Sequence, residues 1–303
     1  MKRKEKPQSL VVGDKIGLLS TARKITLDEL DFALKLIKSW GLVPVLGNTI
    51  SESDNQFAGT VEKRINDFQN FLDNPEIRAI LCVRGGYGTV QIIDSIDFSE
   101  FTKNSKWIIG YSDVTVLHCH INRNLNIQTL HASMPVNFSS NTSQSLESIK
   151  FVLFGTQFQY KINSHKLNRV GGASGELVGG NLSIIYSLSG SNSQLITDGK
   201  ILFIEDLDEY LYHIDRMMMN LKRSKLLENL SGLIVGGMTD MKDNSVSFGK
   251  NAYEIIADAV KEYNFPIAFD FPAGHLNDNR SLIIGSQVKL SVTHDSTELI
   301  FID

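Results

Sequence analysis

Gly110-Tyr111-Ser112-Asp113 sets a serine at the corner where an apolar strand, Trp107-Ile108-Ile109, gives way to a predicted helix, Val114 to Asn122. A hydroxyl at such a corner is pushed out of the fold. It sits above the first free N–H groups of the helix, which can stabilise an oxyanion forming on a substrate carbonyl. The same residues also suit an ordinary helix start, with Ser112 as N-cap and Asp113 favouring the dipole. The choice between nucleophile and cap therefore turns on whether a base and an orienting acceptor exist elsewhere.

Among seven histidines, His275 stands out, because Phe271-Pro272-Ala273-Gly274-His275 puts an imidazole on a Pro/Gly loop directly after a strand, Ile267 to Phe269. His213 falls on a predicted helix, and His165 and His294 lie in polar or strand-edge settings. For the acceptor, Glu205 closes the apolar run Ile201 to Ile204 and is followed by Asp206, Asp208 and Glu209. A solvated acidic turn leading into a helix fits these residues equally, and composition does not select among the acids. Arg84-Gly85-Gly86-Tyr87-Gly88 follows the strand Ala79 to Val83, at the carboxyl end where open α/β sheets bind ligands. It lacks the Gly-x-Gly-x-x-Gly spacing and the Lys-Ser/Thr of phosphate loops, which leaves a backbone-donor loop or a tight turn needing positive φ. The glycines from Gly171 to Gly180 read as turn chemistry.

His118, Cys119, His120 and His131 raise metal binding as a competing chemistry. Helix positions two apart point roughly 200° away from each other, so His118 and His120 cannot grip one ion. These histidines are expected to be structural, Met217 to Met219 are expected in the core, and no metal or cofactor is expected.

Strand-like and helical runs alternate through the first half, the pattern of a parallel sheet covered by helices. Lys15 to Ser20, Val43 to Leu46, Ala79 to Val83, Trp107 to Tyr111 and Ile127 to His131 read as strands. Between them, Thr26 and Glu29 open a helix as a capping box, and Thr60 opens another that ends at Asn74-Pro75. A further helix runs from Ser145 to Phe154. The second half has helical patterns over Glu209 to Asn229 and Asn251 to Tyr263, set among short strands and a β-rich tail. The expected architecture is α/β: a doubly wound, mostly parallel N-terminal domain over 1–156, a polar linker over 157–170, and a smaller mixed α+β domain over 171–303.

At 303 residues and 42% hydrophobic, the chain can bury a full core, and a net charge of −4 with dispersed basic residues offers nucleic acid no footprint. The basic N-terminus leads into too short an apolar run for a signal peptide, and no stretch reaches membrane-spanning length. Two cysteines in apolar surroundings suit a reducing compartment, so a cytoplasmic protein is expected.

Six blocks in order resemble the LD-carboxypeptidases, serine peptidases that include murein tetrapeptide carboxypeptidases and microcin C immunity peptidases. They are Gly13-Asp14-Lys15-Ile16-Gly17, Arg84 to Gly88, Gly110 to Thr115, Gly179-Gly180-Asn181-Leu182-Ser183, Phe203-Ile204-Glu205-Asp206, and Phe271 to His275 with Leu282 to Gly285. The resemblance implies Ser112 as nucleophile, His275 as general base, Glu205 as the acceptor orienting it, and the backbone N–H groups of Gly86 and Asp113 as oxyanion hole. It further implies a murein tetrapeptide substrate, a role in cell-wall recycling, and a homodimer. Ser20-Thr21-Ala22-Arg23 and His131-Ala132-Ser133 depart from the family's usual residues and are expected to bear on substrate fit. The compact stretch Asp206 to Arg216 favours a murein peptide over the peptidyl-nucleotide cut by microcin-type members. A non-catalytic sugar- or nucleotide-binding module, using residues 84–88 and 179–181 as anion loops, is the alternative from another class.

Overall fold

A computed structural model describes residues 3–302, and every element and count below refers to those residues. The first half contributes five parallel strands, β1 (Lys15–Leu19), β2 (Val43–Leu46), β3 (Ile77–Cys82), β4 (Trp107–Gly110) and β5 (Thr129–His131). The second contributes β6 (Gln159–Asn163), β7 (Gly171–Asn181), β8 (Ile201–Leu207), β9 (Gly232–Thr239), β10 (Ile267–Ala268), β11 (Leu282–Ile284), β12 (Gln287–Val292) and β13 (Ser296–Phe301). They form a six-stranded sheet, β11-β5-β4-β3-β1-β2, and a seven-stranded sheet, β10-β9-β8-β7-β12-β13-β6. The second sheet is parallel from β7 to β10 and antiparallel from β12 to β6, the mixed unit expected from the sequence.

The strands of the first sheet are apolar on both faces because helices cover both. In β3, Ile80 and Cys82 pack to one side and Ala79 and Leu81 to the other. On the second side lie α1 (Asp31–Ser39), through Ala33 and Ile37, and α5 (Ser143–Leu153), through Ile149 and Val152. On the first lie α2 (Val61–Asp73) and α4 (Thr115–Asn124), with α3 (Ser99–Lys103) adding Phe101. That core continues without a break into the second half, through α6 (Leu182–Ser187), α7 (Leu211–Arg223), α8 (Ala252–Ala259), and Leu202 and Ile204 of β8. The two sheets are thus fixed against each other by shared apolar burial.

Local chemistry sets the boundaries. Thr60 caps α2, and Asn251 with Glu254 makes a complete capping box on α8. Glu29 accepts the Thr26 N–H at 2.8 Å, but Asp28–Leu30 form one 3-10 turn before α1 opens at Asp31. The helical pattern read over Glu209 to Asn229 is realised only as α7, since Lys225 takes a left-handed conformation (φ 65°) that ends it. Several features differ from expectation. The glycines from Gly171 to Gly180, read as turn chemistry, lie within the long strand β7, where the lack of side chains admits close neighbours such as the Phe203 backbone against Gly179. Residues 159–163, inside the segment read as linker, form β6 on the edge of the second sheet against β13. Only Tyr160 and Ile162 turn inward there, too short an apolar alternation to stand out among polar neighbours. In addition, β11 leaves the second half to close the first sheet antiparallel to β5. Met217 and Met218 are core, but Met219 is 40% exposed.

Candidate active site

Ser112 follows β4 with φ at +61°, and residues 112–114 make one 3-10 turn before α4. A left-handed conformation costs a non-glycine residue roughly 1 kcal/mol, and a strand-to-helix corner holding a half-buried serine in it presents the hydroxyl outward. The loop 84–88 lies directly against this serine. A Cβ on Gly85 would stand 3.0 Å from Ser112 Cβ and 3.1 Å from its Oγ, so any larger residue would crowd the serine. Gly86 follows at φ +111°, exposed to solvent. Buried Arg64 on α2 fixes the far side of the loop, donating to Thr21 O at 2.8 Å, Gly88 O at 2.9 Å and Gln91 Oε1 at 2.7 Å. Asp113 is buried and accepts the Thr89 N–H at 2.8 Å, which ties the start of α4 to the end of the same loop. Burial raises its carboxyl above the usual range against the pull of Thr89 and Arg64.

Across the cleft, Glu205 belongs to β8 and is fully buried, so the solvated-turn reading of this residue is overturned. The strand alternates: Ile201 and Phe203 face one core, Leu202 and Ile204 the other, and Glu205 continues the first row. Its Oε2 accepts from His275 Nδ1 at 2.7 Å and from the His275 backbone N–H at 3.2 Å. An Nδ1 that donates to a carboxylate leaves Nε2 as the basic nitrogen. Burial lowers the proton affinity of His275, but Glu205, by charge and hydrogen bond, and Asp206 outweigh it and hold the pKa above 6.5. Burial raises that of Glu205, and His275, with help from His131 and Asn181, brings it below the ordinary value. Gly274, at φ +108°, is pressed onto the carboxylate, and a Cβ there would fall 2.7 Å from both Glu205 Cβ and Oε2.

Asp206, next in the strand, points the other way, into Asn181 Nδ2 and the Ser183 N–H at 2.9 Å each. Its pKa is pushed up to about 7 by burial and then by Glu205. The acidic neighbours of Glu205 are thus separated from it by orientation, Asp206 serving the start of α6. Tyr111 joins the two halves of the site, its ring 4.7 Å from that of His275 while its backbone leads into Ser112. No direct Ser112–His275 hydrogen bond is present among the described residues, and such contacts commonly tighten only with substrate bound. Beside His275 opens a cleft lined by Tyr111, Asn137, Asn141 and Asn277, with the Tyr111 hydroxyl donating to Asn137 Oδ1 at 3.1 Å. A larger groove along α7, lined by Tyr212, Arg216 and Arg223, contains none of these groups.

The histidines of α4 diverge, as helix geometry requires. His118 bonds Thr129 Oγ1 and Gly110 O at 2.9 Å each, and His120 bonds Ser193 Oγ at 2.9 Å. Sequence reasoning misses Arg64 and Asn279, the latter accepting the Gly274 N–H at 2.8 Å. An arginine in the middle of an amphipathic helix reads as a solvated residue, and its burial depends on carbonyls brought from two distant loops.

Residues 16–132 match the LD-carboxypeptidase N-terminal domain, and residues 174–290 match the LD-carboxypeptidase C-terminal domain. The chain is 32% identical over 300 residues to the probable murein peptide carboxypeptidase of Bacillus subtilis (strain 168), covering 97% of this chain and 94% of that protein. It is 28% identical over 294 residues to the murein tetrapeptide carboxypeptidase of Pseudomonas aeruginosa, covering 92% and 94%. Among solved structures, the muramoyltetrapeptide carboxypeptidase from Oxalobacter formigenes superposes with a TM-score of 0.87 at 22% identity, covering 95% of this chain and 99% of that one, a likeness of fold. Ser112 lies within the first domain match and Glu205 and His275 within the second, so the cleft between them is assembled from both matched halves. With relatives aligned over nearly its whole length, this chain belongs to the LD-carboxypeptidase family.

Proposed function

We propose that the protein cuts terminal D-alanine from murein tetrapeptides by serine catalysis, with Ser112 as nucleophile, His275 as general base and Glu205 as its orienting acceptor. The observation that carries this reading is the 2.7 Å contact between Glu205 Oε2 and His275 Nδ1, made by a fully buried carboxylate. His275 Nε2 takes the Ser112 proton as Oγ bonds to the carbonyl carbon of the diamino acid. The backbone N–H groups of Gly86 and Asp113 receive the oxyanion. Collapse breaks the C–N bond, and His275 returns the proton to the leaving D-alanine amine. Water, deprotonated by the same imidazole, then releases the tripeptide from Ser112. The names of the relatives support the substrate, and recycling of wall peptide in the cytoplasm is the setting proposed. Incubation with a defined murein tetrapeptide is expected to yield tripeptide and free D-alanine. An intact tetrapeptide, or cleavage at an internal bond, would contradict the reading.

Two expectations follow from the pair's chemistry. His275 must be neutral to accept a proton, and its pKa lies above 6.5. Activity is therefore lost as pH falls through that raised value, and the acid limb of kcat/KM for the free enzyme is expected above 6.5. An acid limb below it would show that Glu205 does not stabilise the imidazolium. Gly274→Ala drives a methyl into Glu205 and displaces the acceptor. Misplacement by about 1 Å costs on the order of 10²-fold, so kcat should fall by about that factor while the circular dichroism spectrum is retained.

A further inference from the structure

His131, the last residue of β5, lies buried behind the Glu205–His275 pair. Its ring meets Phe203, two residues before Glu205, edge-on at 5.0 Å, and lies 5.9 Å from the ring of Tyr111, the residue before Ser112. Neither ring nitrogen has a hydrogen-bond partner in ordinary bonding geometry among the described residues, although the Asn279 side chain stands close enough to raise the ring's proton affinity. Two other buried atoms facing this ring are equally unpartnered, Glu205 Oε1 and Asn279 Nδ2. An unsatisfied buried polar atom costs about 1 to 3 kcal/mol, so four in one place call for a common arrangement. One arrangement of donors and acceptors satisfies all four. Asn279 Oδ1 accepts the Gly274 N–H, which fixes Nδ2 as a donor facing His131, while Oε1 of an ionised Glu205 accepts only. A neutral imidazole has one acceptor and one donor to place between them.

We propose that His131 is a positioning residue, a neutral imidazole that accepts from Asn279 Nδ2 and donates its ring N–H to Glu205 Oε1, directly or through one buried water. Asn279, His131, Glu205 and His275 then form one chain that holds both carboxylate oxygens. The inference rests on the Ser112, His275 and Glu205 roles proposed above. Burial drives the pKa of His131 down to about 3, against the pull of Glu205 and with the push of His118 and His275, so the ring stays neutral across the working range. The charged and titratable groups around the chain are Glu205 and Asp206 from β8, His118 from α4, His275 from its loop and Tyr111 after β4.

The test compares His131→Phe, His131→Gln and Glu205→Gln in the full-length enzyme, measuring kcat, KM and the pH profile of kcat/KM. Phenylalanine fills the space without a donor. Glu205 becomes more basic and less well held, so kcat should fall about tenfold to a hundredfold with KM nearly unchanged. The acid limb should rise by about half a unit, and glutamine, with one donor and one acceptor, should restore most of the rate. Wild-type kcat and acid limb in His131→Phe, beside a crippled Glu205→Gln, would overturn this inference and leave the triad standing. A Glu205→Gln enzyme with wild-type rate and acid limb would overturn the triad and this inference with it. Should His131→Phe fail to fold, 15N-histidine NMR of the wild-type enzyme decides. A single neutral tautomer at His131 from about pH 5 to 9, shifted by Glu205→Gln, is expected, and a ring that titrates there or ignores Glu205 would refute the proposal.

Discussion

Ser112→Ala is expected to leave the fold intact and to lower turnover of murein tetrapeptide by about five to six orders of magnitude, because nucleophile and base act as one unit. Loss of the hydroxyl removes the only atom that bonds to the substrate, and the remaining oxyanion donors and binding contacts supply just the residual rate. The fold should survive because the hydroxyl is not part of the buried core, and removing the strain of φ +61° is no part of the change: alanine inherits the same backbone. Thermal melting near that of the wild type with near-normal peptidase activity would remove Ser112 from the mechanism.

His275→Ala is expected to be almost as damaging, while Glu205→Gln keeps more activity. The imidazole transfers the proton in both half-reactions, whereas the carboxylate orients it and stabilises its charged form, so the two losses differ in kind. Glutamine can still accept the Nδ1–H through its amide oxygen, but it brings no charge to a site that is fully buried. The expected order of kcat is wild type, then Glu205→Gln, then His275→Ala, with Glu205→Gln also shifting the acid limb down because the raised pKa of His275 depends on that charge. Equal activity in the wild type and the His275 variant would refute the base.

Much of this site can be read in the sequence, for identifiable reasons. An apolar strand that breaks at Gly110 and resumes as a helix marks Ser112 as a corner residue, and the Pro/Gly loop before His275 marks an imidazole that faces a cleft. Glu205 is not distinguishable from Asp206 by type or spacing. What separates them is strand parity: Glu205 extends the Ile201 and Phe203 row toward the His275 loop, and Asp206 extends the opposite row toward Asn181. Parity decides only once the strand is known to continue through two acids to Leu207, and a run of carboxylates argues locally for a turn. The strand β11 is out of reach for another reason. Three apolar residues, Leu282–Ile284, carry no record of which sheet they join, and pairing with β5 is set by tertiary packing. His131 reads in the sequence only as a structural histidine within a segment, His131-Ala132-Ser133, expected to bear on substrate fit. It is indeed buried, but its place beside Glu205, with Phe203 and Tyr111 around it, is set by packing between distant strands.

The most direct test of the central claim is kcat/KM for two tetrapeptides that differ only in the configuration of the final alanine. A pocket shaped for a D-alanine methyl meets the L form with that methyl against the wall, at a cost of about 1 to 3 kcal/mol, and with the scissile carbonyl displaced from the Gly86 and Asp113 N–H groups at a further cost. The D-terminated peptide should therefore be cut at least about 10²-fold more efficiently, with the activity absent in Ser112→Ala. Comparable rates on both peptides, or a preference for the L form, would contradict an LD-carboxypeptidase built on Ser112, His275 and Glu205.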